Sequence, residues 1–359
     1  MNLKPIIAAG LVLAVPLGVA SRAPQLTRFE FSEPHMGTIF RIVLYAPDEA
    51  AALDASAAAF GRITALDDTM SDYNPQSELM LLCGHAAGPP VVISRDLFRV
   101  LEKSQEVAEK SGGAFDVTVG PLVQLWRRAR RQHELPDPES LARALRLVGH
   151  EKLRLDPRAR TAQLLKPGMQ LDLGGIGKGY AADEALVVLK RHGIGCALIA
   201  AGGDIVAGSP PPSKAGWRIS VASLETPEKS PTRFISLHDA AVSTSGDAEQ
   251  HARIGGVRYS HIINPKTGAA LTGRSSVSVI APDGTTADSL ATAVSVLGQE
   301  RGLDLIKSVP GASLLFVQDT GQGVNTVEWQ FPPPPGSPNS KIQSPGNGPF
   351  TGNTRPPLN

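Results

Sequence analysis

Apolar and polar residues alternate through RFEFSEPHMGTIFRIVLY, residues 28–45, with a break at Met36-Gly37. A period of two puts successive side chains on opposite faces, so the stretch predicts strand structure interrupted by a turn. Residues 48–69 are alanine-rich with apolar positions at helical spacing, and 95–110 and 138–148 show the same spacing. The intervening stretches DDTMSDYNPQSEL and SGGAFDVTVGPLVQLW read as loops. In LDLGGIGKGYAADEALVVLK, residues 171–190, a short strand-like pattern runs into four glycines and a lysine, then into a helix ending at His192-Gly193. Strand patterns follow: CALIAAGGDIVAG, WRISVAS, FISLHDAAVSTSG and VRYSHIINPKTG. The unit SSVSVIAPDGTTADSLATAVSVLG reads as strand, turn and helix, and SLLFV as the strand that closes the fold. Hairpin-like strands mixed with helices predict an α+β fold or a mixed sheet, not a doubly wound parallel sheet. No short-period repeat is evident.

The ends of the chain break this pattern. Residues 1–23 carry Lys4, an apolar run and small residues at Gly18 and Ala20, with no acidic residue before Glu30. That layout is a secretory signal peptide, with cleavage expected after Ala20 or Ala23; an uncleaved membrane anchor is the alternative. The absence of cysteine there excludes a lipid-modified N-terminal Cys. Either way the body, 28–325, is expected outside the cytoplasm, periplasmic or held at the inner membrane facing the periplasm. Residues 331–359 hold nine prolines and four glycines. Such a segment buries too little apolar surface to offset its ordering entropy, so a disordered tail is expected.

Composition changes the picture only by exclusion. The 359 residues hold 35 Lys and Arg against 34 Asp and Glu. No basic excess or stripe marks a nucleic-acid partner. Cys83 and Cys196 are expected as two separate thiols, with a disulfide as the alternative in an oxidising compartment.

Several positions carry candidate chemistry. Gly174, Gly175, Gly177 and Gly179 would let backbone approach an anion, and the following helix offers free N–H groups and the positive end of its dipole. Lys178 adds a charge. The spacing is neither G-x-x-x-x-G-K-S/T nor G-x-G-x-x-G, and a tight turn into the helix is the alternative. Asp288 and Thr292, four apart, share a helical face; two oxygen ligands there suit Mg²⁺, or Asp288 serves only the helix dipole. Asp247, Tyr259 and His261 lie in the polar stretch STSGDAEQHARIGGVRYSHIINPKTG. Tyr73 and Phe115 are loop aromatics, suited to stacking on a flat ring or to tucking onto the core. Asp116 could bond a heterocycle or cap a turn.

These pieces together resemble the ApbE family, the FAD:protein FMN transferases. The resemblance runs in order through PHMGTIFRI, MSDYNPQSEL, GGAFDVTVGPLVQLW, LDLGGIGKGYAAD, AAGGDI, VSTSGDAEQ, YSHIINPKTG and ADSLATAVSVLG, about residues 30–320. It implies an α+β fold with two related T-fold-like lobes around an FAD-binding cleft. Met36, Tyr73, Ala114, Phe115, Asp116 and Ile262 then match contacts to FAD, and Lys178 a contact to its phosphates. Asp288, Thr292 and the Gly175 carbonyl match ligands of Mg²⁺. His261 matches the catalytic position, with Asp247 as helper or alternative base. Cys83 and the proline-rich tail depart from the family pattern.

The implied reaction is attack by a Thr or Ser hydroxyl of a target flavoprotein subunit on the FMN-side phosphorus of FAD, with release of AMP. Two alternatives share the residues: an FAD pyrophosphatase releasing free FMN and AMP, and a non-enzymatic flavin-binding protein.

Overall fold

Strand Thr38–Ala46 shows how the sequence builds the core. Its Phe40, Ile42 and Leu44 are fully buried on one face, while Val43 points into a second cluster on the other. In the computed structural model, residues 25–221, 224, 233–246 and 251–333 are described. The strand belongs to an eight-stranded antiparallel sheet. Edge to edge the strands are Thr27–His35, Thr38–Ala46, Ala197–Ala201, Asp204–Ala207, Ala240–Gly246, Arg274–Ala281, Ser313–Asp319 and Val324–Trp329. Antiparallel pairing joins every neighbour, as the hairpin-rich pattern required. The fold is α+β.

Helices Glu49–Met70, Gly177–Arg191 and Gly284–Leu297 bury alanine-rich faces against one side of this sheet. The other side is covered by the hairpin Trp217–Val221/Arg233–Leu237 through Trp217, Ile219 and Ile235. Helices Gly120–Gln132 and Pro138–Leu145 pack on a three-stranded sheet, His251–Ile254, Val257–Ile263 and Ala270–Thr272, around Leu122, Trp126 and Ile263. Part-buried ion pairs and hydrogen bonds tie helix Gly177–Arg191 to its neighbours. Arg62 of helix Glu49–Met70 bonds Asp96 at 2.8 Å and Glu184 at 2.6 Å, and Tyr180 donates to Asp96 at 2.7 Å.

The structure departs from the periodicity in five places. The LDL of residues 171–173 is extended chain outside any sheet. The stretch read as loop after Gly112 contains helix Gly120–Gln132, begun by Pro121 in its first turn, where the missing N–H costs nothing. Ser77 caps a short helix, Glu78–Gly84, that begins at the end of the other stretch read as loop. Helix Gln299–Lys307 follows the last unit. Ser313–Asp319 is not the closing strand: Val324–Trp329 pairs with its outer edge, and Phe331 beyond is buried. Cys83 and Cys196 are unpaired; their thiols contact the Leu171 N–H at 3.3 Å and the Pro210 carbonyl at 3.1 Å. Among the described residues no helix is long and apolar enough to cross a membrane. Residues 1–23, Asp247 and the chain from 334 onward lie outside the described residues.

Candidate functional site

The glycine loop ends a chain held rigidly at its start. The Asp172 carboxylate accepts from the Gly174 N–H at 2.8 Å and pairs with Arg127 at 3.0 Å. The loop then enters helix Gly177–Arg191, whose N-cap, Ile176, offers no side-chain acceptor. Its Gly179 N–H instead donates to Asp288 of helix Gly284–Leu297 at 3.1 Å. That diversion has a consequence. An ordinary helical turn would aim the Gly179 N–H at the Gly175 carbonyl. Among the described residues nothing donates to that carbonyl.

Lys178 lies between two carboxylates. Its Nζ is 3.0 Å from Asp204 Oδ2 and 3.6 Å from Asp288 Oδ2, and donates to the Gly174 carbonyl at 3.2 Å. Among the described residues Asp204 Oδ2 accepts no hydrogen bond, so its contact with Nζ is ionic. Asp204 Oδ1 accepts from Ser243, directly opposite in the sheet, at 2.5 Å. Desolvation favours neutral Lys178, but Asp204 and Asp288 together outweigh it and hold its pKa above the ordinary lysine value. Burial first, and the Asp204 charge second, push the Asp288 carboxyl above the usual carboxylate range. With both acids ionised, one ammonium faces two carboxylates, and the cluster carries a net negative charge.

That charge suits a hard cation, and so do the uncommitted oxygens beside it. Thr292 lies against Gly175: a Cβ there would sit 2.9 Å from Thr292 Oγ1 and 3.3 Å from the Phe115 ring. Ser289 and Ser295 on the same helix spend their hydroxyls on carbonyls one turn back, at 2.8 Å each. Thr292 does not, and no described residue bonds its hydroxyl. Among the described residues no group of three or more His, Cys, Asp and Glu is placed to hold a metal ion. One carboxylate, one hydroxyl and one carbonyl is the donor set these positions present, and it fits Mg²⁺, which keeps room for water and phosphate oxygens.

His261 lies, half-buried, on strand Val257–Ile263, against which helix Gly284–Leu297 packs. Pairing with Ala270–Thr272 loses register between Tyr259 and Ile263, which bracket His261. Such irregularities re-aim side chains beside sites. Ile262 is buried, with its N–H on Ser260. The turn after this strand is tied down by Trp126, whose indole donates to the Gly268 carbonyl at 2.8 Å. Lys266 of that turn is 3.7 Å from where a Cβ of Gly113 would be, so the strand end borders the loop carrying Ala114 and Phe115.

The remaining expected contacts are more scattered. Ala114 and Phe115 are buried. Asp116 caps a turn, its Oδ1 accepting from the Thr118 N–H at 2.8 Å and hydroxyl at 2.7 Å, and burial pushes its pKa up. Tyr73 is 76% exposed, with the Arg127 guanidinium 4.4 Å over its ring. Arg127 also pairs with Asp72 and Asp172, so Tyr73 reaches the glycine loop through that arginine. Met36 takes a left-handed φ of 48° in the hairpin turn, its N–H held by Asp67 at 2.8 Å. Thr38 beside it borders Gly202, in the turn that leads to Asp204. The structure therefore gathers Gly175, Lys178, Asp288, Thr292 and Phe115 at one place, sets His261's strand against it, and leaves Met36 and Tyr73 at its margins.

A family model described as the ApbE family matches residues 36–316. The chain belongs to the ApbE family. The FAD:protein FMN transferase of Treponema pallidum (strain Nichols) is 34% identical over 325 residues, covering 86% of this chain and 90% of that protein. The FAD:protein FMN transferase of Vibrio cholerae (serotype O1) is 31% identical, covering 86% and 93%. Among solved structures, the flavin transferase ApbE from Vibrio cholerae superposes with a TM-score of 0.77 at 30% identity, over 85% of this chain and 97% of that one. The ApbE protein from Thermotoga maritima gives 0.75 at 30% identity.

Within this ApbE-family chain, sequence reasoning passed over Asp204, Arg127, Asp172 and Asp183. Asp204 had a signal: a lone carboxylate in the otherwise apolar run GGDIVAG. Burying it is costly unless a cation waits for it. Nothing local shows that the cation is Lys178.

Proposed function

We propose that this protein transfers the FMN moiety of FAD to a Thr or Ser hydroxyl of an acceptor flavoprotein subunit, releasing AMP. The observation that carries the reading is the convergence of Lys178, Asp288, Thr292 and the Gly175 carbonyl, which accepts from no described residue, at a glycine-rich helix start. Relatives carrying the transferase name cover nine-tenths of their own length with this chain, which supports the same reading.

The chemistry asks three things of the residues. A pyrophosphate repels nucleophiles, so charge must be neutralised where it develops. Lys178 is held charged by its two acids and points at the glycine loop, where phosphate oxygens would lie. Asp288, Thr292 and the Gly175 carbonyl would hold Mg²⁺, which supplies further neutralisation of the pyrophosphate when bound. The acceptor hydroxyl must lose its proton as its oxygen bonds phosphorus. The His261 imidazole takes that proton, and the bond from phosphorus to the AMP oxygen breaks, leaving FMN in phosphoester linkage. Imidazole suits this because its ordinary pKa, about 6.5, leaves a neutral base at neutral pH. Phe115 and Tyr73 offer ring faces for flavin or adenine, and Asp247 stands as a helper to His261.

We place the reaction outside the cytoplasm, in the periplasm or at its inner-membrane face, on the pattern of residues 1–23. The acceptor is then an exported electron-transfer subunit carrying a short motif around its Thr or Ser. Incubating purified protein with FAD, Mg²⁺ and a candidate acceptor, followed by mass spectrometry, tests the reading. A mass increase equal to FMN, with one AMP per adduct, is the expected result. Free FMN released at the same rate without acceptor would instead assign a pyrophosphatase.

A further inference from the structure

The two helices that build the site carry the same five-residue pattern in their first turns. Helix Gly177–Arg191 contains Gly179-Tyr180-Ala181-Ala182-Asp183, and helix Gly284–Leu297 opens Gly284-Thr285-Thr286-Ala287-Asp288. Each is Gly-x-x-Ala-Asp, and Ala182 and Ala287 are both fully buried. The structure makes the two copies grip each other. The Gly179 N–H donates to Asp288 at 3.1 Å, and the Gly284 N–H donates to Asp183 at 2.7 Å. A Cβ on Gly179 would lie 2.1 Å from the Gly284 carbonyl oxygen, and one on Gly284 would lie 2.7 Å from the Gly179 carbonyl oxygen. Each glycine thus permits the contact, and each aspartate caps the other helix.

The two halves of the clamp do different work. Asp288 is spent twice: it caps the glycine-loop helix and faces Lys178. Asp183 makes only the clamp, but makes it three times. It accepts from the Gly284 N–H at 2.7 Å, the Thr285 N–H at 2.8 Å and the Thr285 hydroxyl at 2.6 Å. A carboxylate bridging three donors fixes both the distance and the rotation of the helix it caps. Thr292 is two turns down that helix, on the face that meets Gly175.

We propose that Asp183 is a positioning residue, holding helix Gly284–Leu297 in register so that Asp288 and Thr292 meet the Gly175 carbonyl. The proposal rests on the reading of those three groups as the Mg²⁺ donors. When Asp288 turns its oxygens to a cation, the glycine-loop helix has no side-chain cap of its own, and the Asp183 bonds remain as the link across the pair.

The test is Mg²⁺ affinity of the full chain, measured calorimetrically with MgCl₂ alone and with FAD present, beside thermal melting. Asp288→Ala should abolish measurable binding. Asp183→Ala should weaken it by roughly 10–100-fold, the usual loss when an outer-shell partner is removed. Thr285→Val, which keeps both backbone bonds to Asp183, should weaken it less. Asp283→Ala removes the helix's own N-cap, which accepts from the Thr286 N–H at 2.7 Å. It should lower the melting temperature and leave Mg²⁺ affinity unchanged, because it ties nothing across the pair. If Asp183→Ala fails to fold, Thr285→Val against Asp283→Ala carries the same comparison. Wild-type Mg²⁺ affinity in Asp183→Ala and Thr285→Val, with binding lost in Asp288→Ala, would overturn the positioning role and leave the metal site standing. Unchanged affinity in Asp288→Ala would overturn both.

Discussion

Gly179→Ala adds one methyl where the two helix starts cross most closely. The added Cβ would lie 2.1 Å from the Gly284 carbonyl oxygen and 2.9 Å from the Asp288 Cβ, against an ordinary contact of 3.4 Å or more. The first of these neighbours is backbone, so no rotamer change can relieve it. The two helix starts must part by more than ~1 Å, since packed interiors have no slack to absorb the methyl. Overpacking of this kind costs ~1–3 kcal/mol. Parting also lengthens the 3.1 Å bond from the Gly179 N–H to the Asp288 carboxylate, and a bond to a charged group contributes ~1.5–3 kcal/mol. The sum is a loss of ~2.5–6 kcal/mol, or a fall in melting temperature of ~5–24 °C at ~2–4 °C per kcal/mol. Urea titration of Gly179→Ala beside Gly61→Ala is the assay. Gly61 lies mid-helix in Glu49–Met70 with nothing within 4 Å of its would-be Cβ, so alanine there should stabilise by ~0.5–1 kcal/mol. A Gly179→Ala protein as stable as wild type would refute the close crossing and the reciprocal capping built on it.

Other perturbations separate chemistry from scaffold. His261→Ala should slow FMN transfer by ~10²–10⁴-fold while FAD affinity, read by flavin fluorescence, stays near wild type; an unchanged transfer rate would remove His261 as the base. Thr292→Val conserves shape and deletes a hydroxyl that bonds no described residue, so melting should be near wild type while the Mg²⁺ concentration for half-maximal transfer rises. Lys178→Met leaves Asp204 and Asp288 without their cation, and breaking a buried pair this way costs ~3–5 kcal/mol, so the variant should be both inactive and less stable at neutral pH. The pH dependence of stability has a sign at Asp183. Burial pushes its carboxyl from an ordinary 3.8 up to about 6, despite the Thr285 and Gly284 bonds. Between those values the native protein keeps a proton that the unfolded chain has lost. Stability of wild type relative to Asp183→Asn should therefore fall as pH rises from about 4 to about 6, by up to ~3 kcal/mol, and be flat above. Urea midpoints that run parallel across that range would show that Asp183 does not titrate there.

Strand alternation around Met36 and helical spacing at 48–69 and 95–110 marked real elements, because one face of each packs on the core and periodicity records that packing. Helix Gly120–Gln132 was hidden by its opening, Val119-Gly120-Pro121, which reads as a loop although proline in a first turn is a helix start. Its apolar positions Leu122, Trp126 and Ala129 were nonetheless at helical spacing. At the site, Gly175, Lys178, Asp288 and Thr292 were visible as residue types suited to phosphate and metal. The role of Asp116 was left open between ligand and cap, and the structure commits one of its oxygens to Thr118.

The sequence by itself determined the α+β class, the order of most elements, and which side chains could do phosphoryl chemistry. These are local properties: periodicity, turn residues and the donor inventory of a short motif. Tertiary structure alone decided that Asp204 is the partner of Lys178, 26 positions on, and that Asp288 caps a helix starting 111 residues before it. It also decided that the two Gly-x-x-Ala-Asp stretches meet. Glycine spacing announces that a backbone can be approached closely, but it does not say by what. That is settled only when a sheet brings two helix starts to one point, where the missing Cβ atoms leave room for each helix to bond the other's acid.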